Sequence, residues 1–376
     1  YTIEAIVEML EHLEDGGILQ ITRFAREMEA LRMVSNLEGA FEALGRGHLE
    51  RSLIALETGD GLMAFLVKRG EFEPAEIAKA KRFAARNGIG IVYLPGAATG
   101  SFVEEFVLHP DKRAFVADFP RNITATTDDR PYFFNFTRWS SPLASRELVR
   151  EPTMISQGNP AFILAQLALS LVLSAILILY PAYRMRGLPT RGAGRFLLYF
   201  ASLGLGFILI EIAVLQKLVL FLGHPVYSIT VTLFCVLLFT GIGSIAFADK
   251  LALDDRRAWG VPIGLAVLLA AFVALSPWLV RHAIGLPLAV RIAISVAALA
   301  PLGLLLGIPF SYGIRILDAR SPALIPWGWA INGCFSVVGS ILAVVVSMNF
   351  GFGVVMAVAA VVYAGGFWAL RSEVSS

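Results

Sequence analysis

Apolar residues recur along this chain at two different periods, and the change of period divides it. In residues 1–13 (YTIEAIVEMLEHL), Ile3, Ile6, Met9, Leu10 and Leu13 fall at helical spacing. Asp15-Gly16-Gly17 then supplies a left-handed stop. Residues 18–24 read as a short strand, and a second helix is predicted over 26–44, ended by Gly45 to Gly47. Residues 49–58 and 62–68 are predicted strands joined by Gly59-Asp60-Gly61, a hairpin signal. Pro74 opens a helix that runs to Asn87, residues 89–94 form a last strand, and 102–119 hold short helices broken at Pro110.

After a polar linker at 151–160, which contains Pro152 and Gly158, the alternation gives way to long apolar runs. Seven of them are predicted spans: 161–180, 196–216, 226–247, 260–280, 288–314, 325–348 and 352–370. Most reach the ~20 residues that cross a hydrocarbon layer about 30 Å thick. The fifth contains Pro301 and Pro309, so a kink is expected there. The predicted architecture is an α/β domain over residues 1–150 followed by an all-α multi-span transmembrane bundle over residues 151–376.

Composition agrees with that division. The 376 residues are 57% hydrophobic and 16% charged, against about 25% charged in soluble domains. A net charge of +2 argues against a nucleic-acid partner. Cys235 and Cys334 both fall in apolar runs, which leaves no disulfide framework and no zinc spacing. His12, His48 and His109 stand singly, so no metal site is expected. The sequence opens at Tyr1, directly in a helical pattern, without Met or a signal peptide. It is therefore expected to be part of a longer protein.

The order helix, strand, helix, antiparallel hairpin matches the back half of a Rossmann-like transferase sheet, whose final two strands form a hairpin. The front half of such a sheet carries a Gly-rich cofactor loop and a ribose-binding acid. No GxGxxG follows a strand in residues 1–150, and Gly45-x-Gly47 follows a helix, where a helix stop is the simpler reading.

Three groups of residues carry candidate chemistry. Asp128-Asp129-Arg130-Pro131 is either an acidic pair that holds a cationic amine or a turn in which Arg130 neutralises Asp129. Tyr132, Phe133, Phe134 and Phe136, which follow it, line an apolar pocket, form a strand on the sheet, or meet a membrane surface. Within the second span stands Glu211, where a charge costs roughly 2.5–3.5 kcal/mol. It is either a cation or proton site, with Gln216 or Asn332 near, or a buried hydrogen bond that fixes the bundle. Gly328, Asn332, Ser336 and Ser340 share one face of the sixth span. Gly204-x-Gly206 and Gly241-x-Gly243-Ser244 add small residues to the second and third. Helix packing explains such positions, and a substrate path is the alternative. His224-Pro225-Val226-Tyr227 reads as an interfacial turn.

Loop cations give an orientation. Arg184, Arg186, Arg191 and Arg195 crowd the first loop, Lys250, Arg256 and Arg257 the third, and Arg315 and Arg320 the fifth. The positive-inside rule places those loops and the C-terminus in the cytoplasm. With seven spans the α/β domain then faces outward. Either that orientation holds, or upstream spans dominate it, or one span is miscounted, and since a single miscounted span returns the domain to the cytoplasm, that side is favoured here.

The stretch YTIEAIVEMLEHLEDGGILQITRF resembles the segment after the catalytic loop of spermidine synthases. There a Tyr or Phe and a Thr open a helix that ends in a Gly-Gly turn before a strand. GLMAFLVKRGEF is similar to their last sheet strand. TTDDRPYFFNF at Thr126 to Phe136, followed by spans containing GLGFILIEIAVLQKLVLFLGHPVYS, resembles bacterial membrane-embedded spermidine-synthase-like proteins. Some of these are fusions of a major-facilitator-type membrane region with a spermidine synthase domain. The likeness covers nearly the whole chain. It implies a multi-pass protein of the bacterial inner membrane and a pocket for S-adenosylmethionine or its decarboxylated form. It also implies transfer of an aminopropyl group to a diamine such as putrescine. The family's catalytic aspartates lie upstream of Tyr1, which leaves Asp128, Asp129 and Tyr132 as the substrate-binding candidates here. Two alternatives stand beside this: a transporter of polyamine or another cation with a degenerate transferase domain, and an S-adenosylmethionine-dependent methyltransferase built on the same sheet.

Overall fold

The structure, a computed structural model, describes residues 1–46, 49–139, 160–186, 193–247 and 256–374. Gly47, His48, the linker 151–159, Arg191 and Lys250 lie outside the described residues, as do the side chains of Arg186, Arg256 and Arg257. Two compact units emerge, Tyr1–Phe162 and Ile163–Ser376.

In the first unit, α1 (Ile3–Glu11) leads to β1 (Ile18–Phe24), α2 (Glu27–Ala43), β2 (Leu53–Glu57) and β3 (Leu62–Lys68). Next come α3 (Pro74–Asn87), β4 (Gly90–Tyr93), α4 (Phe102–Leu108) and α5 (Lys112–Asp118). The strand predicted over 49–58 starts later than expected, because Leu49–Arg51 closes into a 3-10 turn. The four strands form one sheet in the order β1-β3-β2-β4, with every neighbouring pair antiparallel. Ile18 pairs with Lys68 at one end of β1 and Phe24 with Leu62 at the other. Since β1 and β2 both oppose β3, they run parallel to each other, and α2 makes the crossover between them. Gly61 closes the β2–β3 hairpin at φ +80°, a backbone state that side chains disfavour.

Apolar side chains cover both faces of β2. Leu53 and Ala55 join the larger core with Ile6, Leu37, Phe65 and Phe106 from α1, α2, β3 and α4. Ile54 and Leu56 point the other way, to Ala84 of α3 and to Phe72. This two-sided burial explains why β2 reads as an apolar run rather than as an alternating one.

Among its described residues the second unit holds seven helices long and apolar enough to cross a membrane, as the apolar runs predict. The first span is α6 (Pro160–Ser174), a π turn (Ala175–Leu179) and α7 (Tyr180–Arg186). The others are α8 (Gly194–Leu222), α9 (Pro225–Phe247), α10 (Gly260–Ala283), α11 (Leu288–Arg320), α12 (Ile325–Phe350) and α13 (Phe352–Val374). Pro301 and Pro309 lie inside α11, which continues through both as a single helix. Gly223, at φ +79°, ends α8 and lets α9 begin two residues later at Pro225.

Small residues set the pairing of these helices. A Cβ on Gly204 would lie 2.1 Å from the Asn332 carbonyl oxygen, and one on Gly339 would meet Ile208 at 2.4 Å. Contacts that advance together along both chains make α8 and α12 parallel. On the other pair, Gly303 lies against Phe239 and Gly307 against Thr240 and Ser244. The hydroxyls of Ser244 and Ser311 are 2.5 Å apart. Thus α9 and α11 are also parallel, through a small-xxx-small seam that lets backbones touch. Gly206 against Tyr363 and Gly366 against Ser202 seat α13 antiparallel on α8.

Candidate functional sites

In the N-terminal unit, three segments meet at the carboxyl end of β1: the start of α1, the start of α2, and the irregular stretch 122–137. Carboxyl ends of parallel strands are where α/β sheets place ligands. Thr2 caps α1, accepting from the Ala5 N–H at 3.3 Å. Its hydroxyl donates to Asp128 Oδ1 at 2.6 Å. The Asp128 N–H donates in turn to Glu4 Oε2 at 3.0 Å. Glu4, Asp128 and Asp129 thus gather at the α1 N-terminus, whose dipole favours negative charge. Burial pushes the Glu4 carboxyl above its ordinary range, and the charges of Asp128 and Asp129 add to the rise. The folded state therefore holds this proton more tightly than the unfolded chain does. That contribution is complete below about pH 4.5 and is lost as the pH rises through the folded value. A bound ammonium would favour the carboxylate and reverse the sign.

The Asp128–Arg130 sequence is a turn, with the Arg130 N–H donating to the Thr127 carbonyl at 2.9 Å. The Arg130 guanidinium donates to the Ala125 carbonyl at 3.0 Å and to Thr124 Oγ1 at 3.4 Å. Asp128 is tied to α1 as described, and Asp129 adds its charge beside Glu4. The aromatic run that follows is irregular and not a strand. Phe133 and Phe136 are buried, Tyr132 is half-buried, and Phe134 is exposed.

A stripe of buried polar residues on α2 organises this region, and the sequence did not announce it. Glu29, Arg32 and Asn36 recur at helical spacing. Glu29 pairs with Arg23 of β1 at 2.8 Å. The Arg23 guanidinium in turn lies over the rings of Tyr1, Phe133 and Phe134 at 5.0–5.6 Å. Arg32 is 1% exposed. It donates to the carbonyls of Tyr132 at 2.8 Å, Phe133 at 2.9 Å and Asn135 at 2.8 Å, and also to that of Asn122. Its face rests on Phe136. Burial, with a smaller contribution from Arg130, lowers its pKa to about 9. Asn36 donates to Tyr1 O and Thr126 Oγ1, each at 2.9 Å, and accepts from the Thr126 N–H at 2.8 Å.

In the helical unit, a cleft of about 380 Å³ opens between the α9–α11 pair and the α8–α12 pair, with α13 at its floor. Phe207, Phe310 and Trp329 form aromatic walls, and Thr240, Asn332 and Ser336 bring polar groups. Asn332 donates to the Phe200 carbonyl at 3.3 Å, and Ser336 to the Asn332 carbonyl at 3.0 Å. Gly241 borders this space with nothing within 4 Å of a would-be Cβ. Packing explains Gly204, Gly206 and Gly243, while Gly241 faces open space.

Glu211 is half-buried on α8 and lies on the face of Gly204 and Ile208, directed toward α12. It has no hydrogen-bond or ion-pair partner among the described residues. Asn332 sits at the level of Gly204, seven residues and about 10 Å of helix from Glu211. Gln216 is exposed. The structure therefore places Asn332 with the cleft and Glu211 apart from it. His224 accepts from the Val226 N–H at 3.2 Å, and its ring meets Tyr227 at 5.8 Å, where α9 begins.

Comparison with protein families, with curated proteins and with solved structures finds no match for this chain.

Proposed function

We propose that this chain belongs to a membrane-embedded spermidine-synthase-like protein of the polyamine aminopropyltransferase type, in which residues 1–139 are the back half of a Rossmann-like sheet. One observation carries the reading most. The parallel pair β1 and β2, joined through α2, has the returning strand β3 between them, and an acidic and aromatic cluster stands at the carboxyl end of β1. Carboxylates beside aromatic rings suit an alkylammonium, through charge-assisted hydrogen bonds and cation–π contact. Glu4, Asp128, Asp129 and Tyr132 would then form the amine-facing wall. The residues present do not fit a nucleoside cofactor. No glycine-rich turn leads from β1 or β2 into a helix, and the Glu29 carboxylate, which follows β1 in the chain, is taken by Arg23. No chemical step is therefore assigned to this chain's own residues. A methyltransferase on the same sheet is the variant in which the acidic wall serves another acceptor. The setting proposed is the bacterial inner membrane, with this domain in the cytoplasm.

The test is a calorimetric titration of putrescine into the chain held in lipid nanodiscs. Binding is expected to be tighter at pH 7 than at pH 5, because acid neutralises carboxylates that face the ammonium and the Glu4 carboxyl is shifted toward its protonated form, and to weaken about tenfold in Asp128→Asn. A flat titration at both pH values would sink the assignment.

A second reading, transport of a polyamine or other cation, draws on Glu211 alone. A carboxylate inside an apolar helix with no described partner is a functional position by default. Under that reading Glu211→Gln abolishes putrescine uptake into vesicles. Equal uptake by both forms, or none by either, removes it.

A further inference from the structure

The cleft in the helical unit has the features of a built site. Tyr363 lines it, is only 2% exposed, and its hydroxyl has no hydrogen-bond partner among the described residues. The other polar groups there differ. Thr240 donates to the Leu237 carbonyl at 3.0 Å, and Asn332 and Ser336 donate to backbone carbonyls of α8 and α12. One hydroxyl thus stands without a described partner on a side chain that is otherwise buried, in surroundings where an unmade hydrogen bond is costly. Among the described residues no charged side chain lines the cleft. Phe310 and Trp329 meet edge to face, with ring centroids 4.5 Å apart. At the mouth, Leu237 and Trp329 are 64% and 61% exposed, on helices α9 and α12 that read as spans. The approach is therefore from hydrocarbon rather than from water.

We propose that this cleft binds an uncharged amphiphile that enters from the bilayer and places a hydroxyl or carbonyl oxygen where it accepts the Tyr363 proton. The apolar body lies against Phe207, Phe310 and Trp329. A neutral headgroup follows from the lining, since an ammonium or carboxylate would be buried there with no counter-charge. The volume lies within the range of small-molecule sites. The site is independent of the acidic cluster in the N-terminal unit, and neither proposal needs the other.

The experiment uses the whole chain in nanodiscs and a sixteen-carbon alcohol carrying a photoreactive diazirine. Labelled peptides are mapped by mass spectrometry, with unlabelled hexadecanol, hexadecylamine and palmitate as competitors. Labelling is expected on α12 and α13, displaced by the alcohol at least tenfold better than by the amine or the acid. Gly241→Leu projects into the cleft from a position whose Cβ would meet nothing within 4 Å, and is expected to remove the labelling while leaving the melting temperature unchanged. Tyr363→Phe keeps the ring and loses the donor, weakening competition by the alcohol about fivefold. This second variant decides the matter if Gly241→Leu fails to fold. Labelling spread evenly over the exposed faces of α6 and α10 would overturn the proposal. So would unchanged labelling in folded Gly241→Leu, competition by the amine equal to that by the alcohol, or an unaltered Tyr363→Phe.

Discussion

Replacing Arg32 by methionine is expected to destabilise the N-terminal unit by about 3–5 kcal/mol, because it takes one donor group from four carbonyls at once, those of Phe133 and Asn135 in buried bonds. The methionine fills similar volume, so a cavity is not the cause. The cost comes chiefly from the buried oxygens of Phe133 and Asn135, with a smaller share from that of Asn122, while the Tyr132 oxygen keeps the Asn135 N–H at 3.1 Å. Arg32→Lys is expected to recover little, since an ammonium is a point donor and cannot present a planar fork to four acceptors. For a unit of this size, the loss lowers the melting temperature by roughly 10 °C. Stretch 122–137 is expected to become the first site of cleavage by added protease. A melting temperature within 2 °C of the parent, with the stretch still protected, would show that these carbonyls find other donors and that Arg32 does not hold the segment.

The same region shows what the sequence could and could not convey. The ends of β1, β3 and α3 coincide with the predicted ones, because each is fixed locally: by alternation and β-branched residues, by the Gly59-Asp60-Gly61 turn, and by Pro74 and the Gly88 cap. The seven apolar runs were legible for the same reason, since length and hydropathy are properties of a single segment. The polar stripe Glu29, Arg32, Asn36 was not. Polar residues at helical spacing ordinarily mark a solvated face, and nothing near α2 in the chain says that residues about 100 positions later will cover it. Asp128 and Asp129 stood out as acidic, but their neighbour Glu4 is contributed by the start of the chain. The cleft was illegible for a related reason. Asn332 and Ser336 were visible as small and polar residues on one helix face, whereas Tyr363 looked like one more aromatic in an apolar run. Only the antiparallel seating of α13 on α8, set by Gly206 and Gly366, brings it to that floor.

The parallel seam of α9 and α11 leads to the second large effect. Gly307→Leu is expected to destabilise the helical unit by at least about 3 kcal/mol, beyond the usual cost of overpacking. A Cβ there would lie 2.0 Å from the Thr240 carbonyl oxygen and 2.8 Å from the Ser244 backbone nitrogen. Backbone atoms of a packed helix cannot step aside as a side chain can, so the two helices must part. Parting them also breaks the 2.5 Å contact between Ser244 and Ser311. Between spans in a bilayer there is no hydrophobic drive to restore the fit, because lipid solvates the separated faces as well as protein does. Gly264→Leu makes the contrast, since its Cβ would meet only the tip of Leu305, a flexible side chain, at 2.9 Å. Thermal unfolding in detergent, read by loss of the monodisperse peak, should rank the parent and Gly264→Leu together and Gly307→Leu far below. Equal melting of the two variants would mean that the α9–α11 seam is not held by backbone contact. The cleft would then lose the rigid wall that keeps Gly241 facing empty space.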